Sequence, residues 1–329
     1  MARIFEKDIH NKLKEVENYL LEQYKKQHPL KGRDYAEYEK EFKRRLRRAM
    51  ALIPRLVKES TENLIVYRGK GNKSSLELDK KVRMALNSQL VGKSNRMMAY
   101  TTELFSLLTG IVRSYKTVER LYSDEEVEAA LFNMWLLTLK IRGIIESDCS
   151  GDATGFSLFI SKHYASYAQK LKEKSKDQSE KKKQFVYKFA LMDLKTKMYL
   201  CFGTSLISEK KAFDKAMEML NKTGIKINSV RLDRYYSFPV YANQFKNSKV
   251  YIIPRKDSKL GHGNHWYQIM KSFVTDTTNY LEEFFKRNSS ESGFSGDKKM
   301  FGWSIKQKRE DRINTAILCR CIWHNLFNL

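Results

Sequence analysis

Three acidic residues in the second half of the chain are the side chains best suited to chemistry. Asp152 lies in Ser150-Gly-Asp-Ala-Thr-Gly-Phe156, Asp233 in Leu232-Asp-Arg-Tyr-Tyr-Ser237, and Glu291 in Phe284-x2-Arg287-x3-Glu291-x6-Lys298. Mg²⁺ takes a few carboxylates together with water and substrate oxygens rather than an all-protein cage. Three acids brought from separate elements therefore suit metal-assisted phosphodiester cleavage. Arg287 and Lys298 flank Glu291 and add a guanidinium and an ammonium for the same anionic substrate. Asp148 is a weaker candidate for the first acid, because it lacks the Thr-Gly-Phe that follows Asp152.

Other chemistries find less support. His262 and His265 have a ligand-like spacing, but no second ligand pair lies near them, so a loop entering a helix is the simpler reading. Cys149, Cys201, Cys319 and Cys321 are too few and too irregularly spaced for a disulfide framework or a zinc ribbon, which fits a reducing compartment. No Walker A sequence, dinucleotide-type glycine pattern or nucleophile elbow occurs, so neither ATP dependence nor covalent serine chemistry is expected. Trp303, Tyr235 and Tyr236 either stack on an unpaired base or pack inside the protein.

Lys and Arg number 62 against 38 Asp and Glu, a net charge of +24 that calls for a polyanionic partner, foremost nucleic acid. No run of about 18 apolar residues is present, and the first twenty residues alternate charged with apolar side chains. No membrane association is expected, and the protein is read as soluble, cytoplasmic and prokaryotic.

The elements that must position the acids divide at about residue 140. Residues 1–140 read as an all-helical DNA-binding region. Ile9, Leu13, Val16 and Leu20 repeat at helical spacing, and Tyr35, Tyr38, Phe42, Leu46 and Met50 form a second stripe that ends at Pro54. Lys43, Arg44, Arg45, Arg47 and Arg48 crowd its other faces, and Arg44, Arg45 and Arg48 are expected to contact phosphates. Arg68 to Ser75 reads as a loop. Helices follow at 103–108 and 124–140, the second started by a Ser123/Glu126 capping box. The intervening 114–120 would make this a helix-turn-helix that reads DNA ends.

Residues 141–329 read as α/β. Segments 184–192 and 197–202 form a hairpin, a helix runs from an N-cap at Ser208 to Gly224, and a strand at 225–232 delivers Asp233. Another strand at 250–253 is closed by Pro254. Helices at 265–287 and 308–329 complete a mixed sheet flanked by helices. Asp152 belongs on an early strand, and 169–184 is a charged insertion loop.

With the three acid motifs in this order, residues 141–329 resemble the insertion-sequence transposases that carry an RNase H-like catalytic domain and a Tyr-x2-Arg-x3-Glu-x6-Lys signature. The run Gly293 to Gly302 and the ending His324-Asn-Leu326 resemble that family's closing region. The resemblance implies a DDE enzyme in which Asp152, Asp233 and Glu291 hold two divalent ions, Mg²⁺ with Mn²⁺ able to substitute, about 3.5–4 Å apart. Water would attack first, and the freed 3′-hydroxyl would then attack a second phosphodiester. Arg287 and Lys298 would orient the transposon end, the helical region would bind end sequences, and a homodimer would hold two ends in a synaptic complex. One departure stands out: the signature's Tyr is Phe284 here, which has no hydroxyl to offer a phosphate. Hairpin and direct cleavage both stay open. Two other classes also remain, a nucleic-acid-binding protein without catalysis and an RNase H-like nuclease that does not join strands.

Overall fold

The computed structural model describes residues 6–27, 34–62, 64, 76–92, 94–104, 106, 112–158, 185–255 and 263–329. The Arg68–Ser75 loop, the 169–184 insertion and His262 lie outside these residues.

Among the described residues, helices are the only regular structure before Glu146: α1 (Glu6–Gln27), α2 (Tyr35–Thr61), α3 (Leu78–Val91), α4 (Asn95–Leu104), α5 (Tyr115–Leu121) and α6 (Glu125–Ile141). Asp34 starts α2 by accepting the Glu37 amide at 3.0 Å. The helix does not stop at Pro54 but runs on to Thr61. Proline forfeits its own amide bond and crowds the carbonyl four residues back, a cost the rest of the helix can offset. Here the carbonyl that loses its donor is that of Met50, which is exposed, so water can replace the bond. Beyond Pro54, burial of Leu56 and Val57 holds the helix together.

Asp124, not Ser123, caps α6, accepting from the amides of Glu126 and Val127. The stretch 114–120, expected as a turn, is largely the short helix α5, with Ser114 as its N-cap. No residue from Glu126 to Leu139 is exposed. α6 is thus an interior helix rather than one free to enter a DNA groove.

Among the described residues the sheet has six strands: β1 (Glu146–Leu158), β2 (Phe185–Asp193), β3 (Tyr199–Ser205), β4 (Lys226–Leu232), β5 (Lys249–Tyr251) and β6 (Ser304–Ile305). Their order is β3-β2-β1-β4-β5, with β6 pairing to β1. β1, β2 and β3 form an antiparallel meander, whereas β4 and β6 run parallel to β1 and β5 runs parallel to β4. The expected hairpin turns at Asp193, whose Oδ2 accepts the amide and hydroxyl of Thr196. Lys197 then adopts a left-handed φ of 62°.

A parallel return needs a crossover. It is supplied by α7 (Glu209–Thr223), capped by Ser208 and ended by Gly224 in the left-handed region, as the sequence indicates. α7 lies directly on β3 because Gly203 has no side chain; a Cβ there would be 2.0 Å from the Ala212 carbonyl oxygen.

After β4 come a 3-10 turn (Arg234–Tyr236) and then α8 (Pro239–Ala242), α9 (Asn264–Thr275), α10 (Thr277–Phe285), α11 (Asn288–Phe301) and α12 (Glu310–Asn328). The helix expected over 265–287 is broken at Asp276, which caps α10. α12 is the central post: from Thr315 to Phe327 every residue is buried, and it packs against α2, α3, α6 and β3. One continuous cluster of buried side chains therefore runs from α2, α3 and α6 through α12 into the sheet. No helix among the described residues is long and apolar enough to cross a membrane, and all four cysteines are free and buried.

Candidate active site

Asp152 and Asp233 come together through strand register. β1 and β4 are parallel with Gly151 opposite Leu232, so the next residue on each strand is one of the two acids. They stand at the carboxyl end of β4, where open α/β sheets place their ligands. Glu291 arrives from the first turn of α11, where the helix dipole favours a negative charge. The stretch 284–298 thus spans a helix junction: Phe284 in α10, Arg287 at the start of α11, Glu291 in its first turn and Lys298 in its last.

Arg287 ties the acids together. Its Nη1 donates to Glu291 Oε1 at 2.6 Å and lies 3.6 Å from Asp233 Oδ1. Its guanidinium carbon sits 5.3 Å from the centre of the Phe284 ring, and its Nε is buried with no hydrogen-bond partner among the described residues. Phe284 itself is buried and contributes a packed ring under the guanidinium.

Burial pushes the Asp152 carboxyl up to about 6, and the charges of Asp233 and Glu291 add to the rise. The Ala153 amide, which donates to Asp152 Oδ1 at 2.8 Å, and the Arg287 guanidinium only partly offset it. Asp152 thus lies within electrostatic reach of the other two carboxylates, which share one guanidinium between them. A buried acid with a raised pKa among like charges is a frequent mark of a functional site, and hard oxygen donors of this kind fit a divalent cation. Among the described residues no three His, Cys, Asp or Glu side chains already converge at ligating distance. The Arg287 guanidinium stands between Asp233 and Glu291.

Lys298 is half-buried, with its ammonium 4.9 Å from the ring centre of exposed Trp303 and 5.6 Å from that of Phe156. Burial and the nearby Lys188 lower its pKa. Asp148 is not part of the cluster. It accepts from Ser229, near Arg231, and Arg231 also binds Glu283. His265 Nε2 bonds the Ala242 carbonyl at 3.2 Å, which is a packing role. Tyr235 is exposed while Tyr236 is wholly buried, so the tandem tyrosines separate into a surface and a core residue.

The arginines clustered at 44–48 of α2 differ in fate. Arg45 Nε donates to the Phe327 carbonyl at 2.7 Å and its Nη2 to Asn328, so it anchors the end of α12. Arg44 pairs with Glu41 at 2.7 Å on the surface. Arg47 and Arg48 are exposed.

A buried ion cluster beneath α11 was not anticipated from the sequence. Lys188 and Asp297, both almost fully buried, lie 3.3 Å apart. Asp297 also takes the Tyr199 hydroxyl at 2.8 Å and faces His324 Nδ1 at 2.7 Å. Burial alone would push the Asp297 carboxyl up, but His324, Lys188 and Tyr199 together hold it below the ordinary value. A lone Lys inside the apolar run Phe185-Val-Tyr-Lys-Phe-Ala-Leu was the available signal, since a lysine there needs a buried partner.

No family model matches the chain. It is 40% identical over 328 residues to a protein of Archaeoglobus fulgidus named as a probable transposase for insertion sequence element ISA1214, an alignment covering 98% of this chain and 95% of that one. Identity at this level over nearly the whole of both chains covers the helical region as well as the sheet. The chain therefore belongs to the family of insertion-sequence transposases.

Proposed function

We propose that this protein is a DDE transposase that cleaves the ends of its own element and joins them to target DNA, with Asp152, Asp233 and Glu291 as the catalytic acids. The observation that carries the reading is the Arg287 guanidinium bonded to Glu291 and 3.6 Å from Asp233, beside an Asp152 carboxyl raised to about 6 by burial and by the charges of both other acids. The antiparallel meander followed by parallel strands across a helical crossover supports an RNase H-like core. Mg²⁺ or Mn²⁺ held by these acids would neutralise charge on the scissile phosphate and make the attacking water or 3′-hydroxyl a better nucleophile.

The chain's own side chains do the rest. Arg287 offers a planar fork to a phosphate once it releases Glu291, and Lys298 offers a point charge held against Phe156 and Trp303. Arg47, Arg48 and the exposed part of the α2 face supply sequence-independent phosphate contacts. Because the reaction unites two ends, a homodimer is the working form. The chemistry requires no ATP.

The test is cleavage and joining of DNA carrying the element's flanking sequence, with Mg²⁺ or Mn²⁺, for the wild type, Asp233→Asn and Glu291→Gln. Metal-dependent 3′-hydroxyl ends and joined products only from the wild type support the proposal. Cleavage without joining favours a nuclease. Undiminished cleavage by the variants refutes the triad.

A further inference from the structure

Behind the carboxylates lies a pair of side chains that the phosphodiester reading leaves without a task. Tyr236 closes the 3-10 turn that follows Asp233, and its amide donates to the Asp233 carbonyl at 2.9 Å. Its ring is fully buried among Phe189, Phe213 and Tyr241, with ring centres 5.2, 5.6 and 5.2 Å away. Phe189 stands opposite Ala153 in the β1–β2 ladder, so the ring that supports Tyr236 belongs to the strand beside Asp152. The Tyr236 hydroxyl donates to Glu209 Oε1 at 2.6 Å.

Glu209 is the first residue of α7, where the helix dipole favours a carboxylate. It is half-buried. Burial raises its pKa, the Tyr236 hydroxyl counters part of the rise, and Asp233 adds to it, which places Glu209 within electrostatic reach of the triad. The crossover helix and the turn that presents Asp233 are thus tied by one charge-assisted hydrogen bond, of the short and strong kind. Such a tie matters more at this turn than elsewhere. Reacting groups must be held within about 0.5 Å, and a displacement of about 1 Å costs on the order of a hundredfold in rate.

We propose that Glu209 is a positioning residue: through the Tyr236 hydroxyl, its carboxylate fixes the turn that aims Asp233 beside Asp152. The inference rests on the reading of Asp152, Asp233 and Glu291 as the metal-holding set.

The experiment measures Mn²⁺ binding to the full chain by electron paramagnetic resonance, and in parallel the kcat and KM of DNA cleavage. Tyr236→Phe keeps the ring and its packing and removes only the hydroxyl, so it tests the tie in a folded chain. Tyr236→Phe and Glu209→Ala are expected to weaken Mn²⁺ binding about tenfold and to lower kcat by a similar factor, with KM for DNA unchanged. Glu209→Gln keeps an oxygen that accepts the phenol proton and is expected to stay within about threefold of the wild type. Two results overturn the proposal: unchanged Mn²⁺ binding in Tyr236→Phe, or a Glu209→Gln defect as large as that of Glu209→Ala, which would assign the effect to charge rather than to position. A wild-type chain that binds no Mn²⁺ and cleaves no DNA, like Asp233→Asn, overturns the carboxylate reading itself and this inference with it.

Discussion

Replacing Asp152 by Asn should stabilise the metal-free protein while destroying its activity. The native carboxyl titrates at about 6 against an ordinary 3.8. The native state therefore holds this proton more tightly than the unfolded chain does. The sign follows from linkage: above pH 6 the wild type bears the full cost of an ionised, half-buried acid, and that cost shrinks as pH falls through 6 toward 4. Two pKa units correspond to about 3 kcal/mol, an upper figure because part of the group remains in contact with water. For a chain of this size each kcal/mol moves Tm by roughly 2 °C, so Asp152→Asn should melt about 3–6 °C above the wild type at pH 8 in EDTA. Asn keeps the oxygen that accepts the Ala153 amide, so little else changes. The assay is a pair of melting series at pH 4 and pH 8, repeated with Mn²⁺. The gap should nearly close at pH 4, and Mn²⁺ should raise the Tm of the wild type alone. Equal melting at pH 8, or a less stable variant, would refute the argument that burial and like charge strain this acid.

Arg287→Gln removes the cation between Asp233 and Glu291. Mn²⁺ binding without DNA should hold or tighten, while cleavage falls at least about a hundredfold; loss of Mn²⁺ binding would mean that the guanidinium builds the site. Arg45→Ala should cost about 1–3 kcal/mol of stability, through the lost bonds to Phe327 and Asn328, and leave the salt dependence of DNA binding unchanged. Arg48→Ala should do the reverse, keeping stability within about 0.5 kcal/mol and lowering the salt slope by about one. Asp297→Asn strands the buried Lys188 ammonium and should cost about 3–5 kcal/mol in denaturant unfolding. A loss under about 1 kcal/mol would show that Lys188 finds another partner.

The sequence alone carried the signals that act over short range. Ser208 and Gly224 marked both ends of α7, because capping and left-handed termination are local chemistry. Asp193 and its neighbours marked the hairpin turn for the same reason, and the β-branched and aromatic runs on either side marked its two strands. The adjacency of Asp152 and Asp233 on neighbouring strands was legible too, since each follows a strand-forming run in the sequence. Long-range packing decided the rest. Pro54 did not end α2, because burial on either side outweighed one lost bond. The glycine- and serine-rich run from Asn288 to Phe301 became helix α11, because Gly293 admits Met192, whose Cε would lie 2.0 Å from a Cβ there. Arg44, Arg45 and Arg48 look alike in the sequence, yet only the arrival of α12 tied Arg45 to the chain's last helix. The burial that raises Asp152, the guanidinium set between Asp233 and Glu291, and the Lys188–Asp297–His324 cluster each require segments distant in the chain to meet. Sequence periodicity reports which side of an element is apolar, not which partner it will meet; that choice was made by the tertiary structure.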